Sequence, residues 1–96
     1  MAESFSTFDP ADLLKSDEAI QVFLDDAFET GDATYIANAL GVIARAKGMT
    51  KLSRETGLAR EHLYKSLSAA GNPTLGTMLT VLNALGFQLK SQQKTL

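Results

Sequence analysis

The amino-acid sequence lacks several residue types on which whole classes of function depend. It contains no cysteine, which excludes disulfide bonds and cysteine-ligated zinc sites. Its one histidine, His62, excludes multi-histidine metal sites and argues against elaborate acid–base catalysis. No apolar run approaches the roughly 20 residues of a membrane-spanning helix, and the first residues, Met-Ala-Glu-Ser, lack the basic segment of a signal peptide. We therefore expect a cytoplasmic protein that is not an enzyme and has no metal or cofactor.

The 96 residues leave room for one small hydrophobic core. The hydrophobic fraction of 45% and the charged fraction of 21% are ordinary for a folded soluble protein. We expect three parts: an N-terminal arm over residues 1–15, a helical domain over residues 16–90, and a loose polar tail over residues 91–96.

The net charge of −2 conceals an uneven distribution along the chain. Residues 1–40 carry nine acidic residues against one basic residue, whereas residues 41–70 carry six basic residues against two acidic ones. Screening limits the reach of exposed charges to about 8 Å at physiological salt, so local charge governs which partners are attracted. The basic middle of the chain favours nucleic-acid binding. The alternative interpretation is that the acidic and basic residues lie on different solvent-exposed helix faces without binding a partner.

Apolar residues recur at three- and four-residue spacing in four segments, and a fifth, short segment with Leu52 as its clearest core residue follows a capping residue and precedes Gly57; together they predict five helices. Four of the helices are expected to begin at an N-cap residue: Ser16, Asp32, Thr50 and Thr74. The expected bounds of the five helices are Ser16 to Gly31, Asp32 to Gly48, Thr50 to Thr56, about Arg60 to about Ala69, and Thr74 to Gly86. Gly41 lies inside the second helix, where a close helix–helix approach would explain it. Residues 87–90 alternate apolar and polar, which is typical of a short C-terminal strand.

Residues 50–67 are the most informative part of the sequence. They indicate a short helix, a tight turn at Gly57, where glycine readily adopts a positive φ, and a second helix. The small side chain of Ser53 would let the two helices cross closely. The expected buried spine consists of Leu52, Leu58, Leu63 and Leu67. This arrangement is that of a DNA-binding helix-turn-helix in an all-α domain, although an ordinary helical hairpin with a polar outer face has the same spacing.

The outer face of the second helix carries side chains that suit DNA recognition. Arg60 can pair bidentately with guanine, and Glu61 can accept a hydrogen bond from the cytosine amino group. The side chains that can reach bases or phosphates are His62, Tyr64 and Lys65. Thr50 and Lys51, at the start of the first helix, suit a backbone phosphate. For a lone histidine on a polar helix face, simple solvation is the alternative interpretation.

Five segments of the chain resemble one protein family. They are Phe-Asp-Pro-Ala-Asp-Leu-Leu-Lys at 8–15, Leu-Gly-Val-Ile-Ala-Arg-Ala-Lys-Gly-Met-Thr-Lys-Leu at 40–52, Thr-Gly-Leu-Ala-Arg-Glu-His-Leu-Tyr-Lys-Ser-Leu-Ser at 56–68, Gly-Asn-Pro-Thr-Leu at 71–75 and Val-Leu-Asn-Ala-Leu-Gly-Phe-Gln-Leu at 81–89. Over residues 9–90 the chain is similar to HigA-like addiction-module antidote (antitoxin) proteins with a lambda-repressor-like, XRE-type helix-turn-helix. Ala59 departs from the serine that commonly caps the recognition helix in relatives, and Ser53 replaces the usual alanine.

The resemblance implies a five-helix, lambda-repressor-like homodimer that binds operator DNA. It also implies that the protein neutralises a small basic toxin of RelE/ParE-like type and represses its own operon. The acidic N-terminal half would then attract the basic toxin, or serve only as a solubilising face. Candidate dimer elements are Phe5, Phe8 and residues 87–90. Two other functions stay open: a stand-alone phage-type (XRE) transcriptional repressor without a toxin, and an inhibitor that binds proteins but not DNA.

Overall fold

The computed structural model describes residues 14–95 as five α-helices joined by turns and loops. The helices are α1 (Asp17–Glu29), α2 (Ala33–Lys47), α3 (Met49–Thr56), α4 (Arg60–Ser66) and α5 (Leu75–Ala84). The prediction of an all-α domain with five helices is confirmed for the described range. Most of the expected N-terminal arm, with Phe5 and Phe8, lies outside the described residues.

Three of the predicted N-caps are confirmed, because their side chains accept hydrogen bonds from backbone N–H groups that the helix leaves unpaired. Ser16 accepts from Ala19 at 3.1 Å, Asp32 accepts from Thr34 at 3.0 Å and Tyr35 at 3.2 Å, and Thr74 accepts from Thr77 at 3.1 Å. Such a cap typically contributes about 1 kcal/mol. These side chains therefore set where α1, α2 and α5 begin.

The prediction that Thr50 caps the third helix is wrong. α3 begins at Met49, one residue before Thr50, and no side chain caps it. Gly48 adopts a φ of 108° and donates its N–H to the carbonyl of Ala44 at 2.8 Å. The carbonyl of Gly48 in turn accepts from the N–H of Leu52 at 3.0 Å. One glycine therefore both ends α2 and begins α3, so no position remains between the helices for a capping side chain.

The predicted end of the fourth helix at about Ala69 is also wrong, because α4 ends at Ser66. The hydroxyl of Ser68 donates to the carbonyl of Lys65 at 3.0 Å, where a continued helix would use the N–H of Ala69. The N–H of Gly71 then donates to the carbonyl of Ser68 at 2.9 Å. These two bonds lead the chain out of the helix and into a turn.

Apolar side chains from all five helices form the core, and no polar or charged side chain within residues 14–95 is buried. The largest fully buried side chains are Ile20, Leu40, Ile43, Leu63, Val81 and Leu82. α2 packs against α1, α3 and α4, while α5 packs against α3. The helices of the described range are too short or too polar to cross a membrane.

Gly41 lies where α2 meets the end of α4. A Cβ atom at this position would overlap the backbone carbonyl of Leu67, which is the C-cap residue of α4. The close approach predicted at Gly41 is therefore confirmed. Because Leu63 and Leu67 are both buried, α4 is held directly against the backbone of α2.

The predicted strand over residues 87–90 is wrong, since the described part of the chain forms no strand. α5 instead ends in a glycine turn, in which Gly86 has a φ of 90° and donates its N–H to the carbonyl of Asn83 at 3.1 Å. Phe87 donates to the carbonyl of Leu82 at 2.8 Å, and its side chain packs against the core. Phe87, the first residue of the alternating pattern, therefore makes the apolar contact that ends α5. Within residues 14–95 there is no neighbouring strand with which residues 87–90 could pair.

Substituting Gly41 by alanine should destabilise the protein, because the added methyl group pushes the end of α4 away from α2. We expect a loss of about 1–3 kcal/mol of unfolding free energy, as is typical of overpacking, in urea denaturation followed by circular dichroism. Asn38→Ala, at an exposed position of the same helix, is the control and should change stability by less than about 0.5 kcal/mol. A Gly41→Ala variant as stable as the wild type would contradict the packing of α4 described above.

Candidate nucleic-acid interface

α3, the turn at Gly57 and α4 form the unit predicted to be a helix-turn-helix. Gly57 has a φ of 77° and a ψ of 7°, in the left-handed region that glycine adopts without steric cost. Its N–H donates to the carbonyl of Ser53 at 2.9 Å, which ends α3. Leu58 and Ala59 then lead into α4. The predicted turn at Gly57 is confirmed.

Side-chain hydroxyl groups hold this turn together. The hydroxyl of Ser53 donates to the carbonyl of Leu58 across the turn. The hydroxyl of Thr56 donates to the carbonyl of Leu52 at 2.8 Å and accepts from the N–H of Leu58 at 3.2 Å. Ser53 was predicted to matter only for its small size, and the hydrogen bonds of the Ser53 and Thr56 hydroxyl groups were not predicted. The available signal was the presence of serine and threonine just before the glycine, where such side chains bond to nearby backbone.

The predicted leucine spine orients α4. Leu52, Leu63 and Leu67 are buried, and Leu58 is half-buried against the core. Leu63 and Leu67 are four residues apart and lie on one side of α4. The opposite side of the helix is therefore turned towards solvent.

All seven residues predicted to bind DNA are exposed, five on α4 (Arg60, Glu61, His62, Tyr64 and Lys65) and two in the first turn of α3 (Thr50 and Lys51). Successive residues of an α-helix are about 100° apart. Glu61 and Lys65 accordingly lie opposite the buried leucines, whereas Arg60 lies on one flank and His62 on the other. Arg60 and Lys65 both point outward, as expected, from positions about 140° apart around the helix axis. Their contacts with DNA stay predictions.

Arg60 and Tyr64 contact each other on the flank of α4. The guanidinium carbon of Arg60 lies 5.7 Å from the centre of the Tyr64 ring, within range of a cation–π interaction of about 0.5–1 kcal/mol. The ring therefore restricts where the guanidinium points. Tyr64 was predicted to reach DNA, and its contact with Arg60 was not predicted, although the four-residue spacing between them was the signal.

We use the name basic face for Lys51, Arg54, Arg60 and Lys65, the exposed cations of α3 and α4. None of them forms an ion pair with another residue of the range 14–95. An ion pair that does form, between Lys47 and Asp17 at 3.5 Å, joins α2 to α1 and lies outside this unit. The basic face is thus available to an anionic partner, with Glu55 and Glu61 as the acidic residues of the same helices.

The start of α4 carries no side-chain cap. Ala59, the residue before the helix, forms no capping hydrogen bond, as expected from its departure from the family pattern. His62 is exposed, and within the described range no group of three or more histidine, aspartate or glutamate residues is placed to hold a metal ion.

Comparisons with known proteins indicate a family. A family model described as "Probable addiction module antidote protein" matches residues 4–93 of the chain, a range that includes all five helices. A curated relative from Haemophilus influenzae, described as "Uncharacterized protein", is 43% identical over 93 residues, which cover 97% of this chain and 96% of the relative. No solved structure matches the chain.

Proposed function

The chain belongs to the family of probable addiction module antidote proteins, and from this premise we propose that it is a DNA-binding antitoxin. It neutralises a RelE/ParE-like toxin, represses its own operon, and has no catalytic activity or cofactor. The observation that carries the DNA-binding part is the basic face, whose four cations lie on both helices of the helix-turn-helix and form no ion pair within the described range.

In the proposed complex α4 enters the major groove, as the second helix of such units does. Glu61 and Lys65, opposite the buried leucines, face the floor of the groove. Arg60 approaches a guanine from the flank, with its direction limited by the Tyr64 ring. Thr50 and Lys51 contact a phosphate at the start of α3. The helix order and this unit support a lambda-repressor-like domain of the XRE type.

Two copies would bind a palindromic operator, with half-sites one DNA turn or about 34 Å apart. The overall charge of −2 does not prevent DNA binding, since exposed charges are screened beyond about 8 Å at physiological salt. Because neutralised phosphates release counterions, binding should weaken steeply as salt rises. Appreciable sequence-specific binding with such a salt dependence would also reject the alternative of an inhibitor that ignores DNA.

The outer face of α1 is the proposed surface that attracts the toxin. Glu18, Asp25 and Glu29 recur on one side of the helix, and all three are exposed around Val22, itself 60% exposed. A basic toxin surface would be attracted to this side, because complementary charge accelerates association.

Co-expression tests the antitoxin role directly. Expression of the small basic protein encoded by the neighbouring gene should arrest growth. Co-expression of this chain should restore growth and yield a complex of the two proteins. Glu29→Lys should slow association of the two proteins about threefold to tenfold at low salt, because it weakens the electrostatic attraction. Glu55→Lys, the same charge change on α3, is the control and should have little effect.

Other outcomes would favour the alternatives. Specific operator binding by a chain whose neighbouring gene encodes no toxin would favour the stand-alone repressor. Neutralisation of a toxin without any DNA binding would favour the pure inhibitor.

Arg60→Ala and Lys51→Ala separate base recognition from phosphate contact. Arg60→Ala should cost about 1–3 kcal/mol on the cognate operator and relax its sequence preference. Lys51→Ala should weaken binding to all sequences similarly and reduce the slope of log affinity against log salt by about 1. Fluorescence anisotropy with operator and scrambled duplexes measures both effects. An unchanged preference in the first variant, or a sequence-selective loss in the second, would reject the corresponding assignment.

Tyr64→Phe and Tyr64→Leu test whether the Tyr64 ring aligns Arg60 or the Tyr64 hydroxyl contacts DNA directly. If the ring aligns Arg60, phenylalanine should keep wild-type affinity for the operator, because it keeps the aromatic face. Leucine should lose about 0.5–1 kcal/mol, the energy of an exposed cation–π contact. The same anisotropy measurement distinguishes this from a direct hydroxyl contact with DNA, for which the phenylalanine variant would lose as much as the leucine variant.

A further inference from the structure

Leu58, in the turn between α3 and α4, is bound to α3 through both of its backbone polar groups. Its N–H donates to the Thr56 hydroxyl at 3.2 Å, and its carbonyl accepts from the Ser53 hydroxyl. The Thr56 hydroxyl in turn donates to the carbonyl of Leu52 at 2.8 Å. The side chain of Leu58 packs half-buried against the core. We call Ser53, Thr56 and Leu58, with these hydrogen bonds, the Leu58 anchor.

The start of α4 lacks support from a cap of its own. Ala59, the residue before the helix, has no side-chain oxygen to accept from the first N–H groups, and no capping hydrogen bond forms there. The first hydrogen bond of the helix runs from the N–H of Leu63 to the carbonyl of Ala59 at 3.0 Å. A helix as short as these seven residues is unstable unless it is held from outside. Since only Ala59 separates Leu58 from Arg60, the Leu58 anchor lies where it can hold this helix start.

The backbone before α4 is suited to a cap, and only the side chain is lacking. Ala59 has a φ of −63° and a ψ of 144°, close to the −68° and 162° of Thr74, whose hydroxyl caps α5. Both residues have the extended conformation that N-cap residues adopt. Ala59→Ser should therefore supply a cap for α4 without moving the backbone.

We propose that the Leu58 anchor takes the place of an N-cap for α4, so that Ser53 and Thr56 are positioning residues for Arg60. Holding Leu58 fixes the first turn of α4 and with it the backbone of Arg60, while the Tyr64 ring limits where the guanidinium points. The inference rests on the proposed function and deepens it, because it names residues that set the DNA sequence preference without touching DNA. The effect of the anchor on α4 can be measured without DNA.

Amide hydrogen exchange in the full chain, followed by NMR, tests the anchor directly. The amide of Leu63 reports opening of the first turn of α4, because its hydrogen bond to Ala59 is the first of the helix. Ser53→Ala and Thr56→Val should each speed its exchange about threefold to tenfold, the effect of losing one hydrogen bond. Both substitutions keep the size of the side chain nearly constant, so the variants should fold.

Thr80→Val is the matched control for Thr56→Val. The hydroxyl of Thr80 donates to the carbonyl of Gly76 at 2.9 Å, four residues earlier, as the Thr56 hydroxyl does within α3. Thr80 lies on α5 and has no part in the Leu58 anchor. Thr80→Val should change exchange at Leu63 less than about twofold. Equal effects of the two threonine substitutions would overturn the role of Thr56.

Ala59→Ser tests whether the anchor replaces a cap. With a cap of its own, the start of α4 should no longer depend on Leu58. In chains carrying Ala59→Ser, the substitution Ser53→Ala should therefore change exchange at Leu63 less than about twofold, a smaller effect than in the wild-type background. Equal effects in the two backgrounds would show that the two positions act independently, and would overturn the proposal.

Discrimination between operator and scrambled duplexes shows whether the anchor positions Arg60. Ser53→Ala should raise the dissociation constant for the operator about threefold to tenfold and that for a scrambled duplex less than about twofold, because only base contacts depend on the direction of α4. Ala59→Ser should restore the discrimination. Toxin neutralisation by the Ser53→Ala variant should be unchanged, because the acidic side of α1 is intact. A loss of equal size on both duplexes would leave Ser53 with a structural role only and overturn its positioning role.

The outcomes separate the anchor from the proposed function. A chain that binds no operator, but whose Leu63 exchange responds to Ser53→Ala and to Ala59→Ser as expected, would reject DNA binding and support the anchor. A chain that binds its operator specifically, while folded Ser53→Ala and Thr56→Val variants keep wild-type exchange and discrimination, would support DNA binding and overturn the anchor.

Discussion

The contact between the end of α4 and the backbone of α2 is the constraint on which the candidate interface depends. A helix as short as α4 is not stable by itself in water, so its position comes from what it packs on. Gly41 lets the carbonyl of Leu67 lie against α2, and the burial of Leu63 and Leu67 fixes which side of α4 faces inward. The polar side chains on the opposite side are exposed for that reason.

The surface of the molecule is divided by charge among separate helices. α1 carries acidic residues, α3 and α4 carry the basic face, and α5 carries no charge. Because the acidic and basic surfaces belong to different helices around one core, the proposed toxin and DNA each have a surface of their own. The ion pair between Lys47 and Asp17 joins α2 to α1 and leaves the cations of α3 and α4 out of it.

The features predicted correctly from the sequence depend on residues that are close together in the chain. The caps at Ser16, Asp32 and Thr74 bond to N–H groups two or three residues ahead. The turn at Gly57 needs only a residue that tolerates a positive φ. The exposure of the candidate DNA-binding residues on α4 followed from the same periodicity that placed Leu63 and Leu67 inside.

The wrong predictions arose where one local hydrogen bond replaced another or where the described range offered no neighbouring strand to pair with. Gly48 serves both α2 and α3 and leaves no capping role for Thr50, while the Ser68 hydroxyl takes the carbonyl that would have extended α4. Residues 87–90 have an alternating pattern but no strand beside them in the described range.

The five helices, three of their caps and the turn at Gly57 could be predicted from the sequence, because each rests on interactions within a few residues. What Gly41 contacts and which leucines of α5 are covered could be learned only from how the helices pack. Periodicity marks Leu75, Leu79 and Leu82 alike as apolar, yet only Leu82 is buried. Burial depends on which distant segments pack together, and the repeat of side chains along one helix carries no information about that.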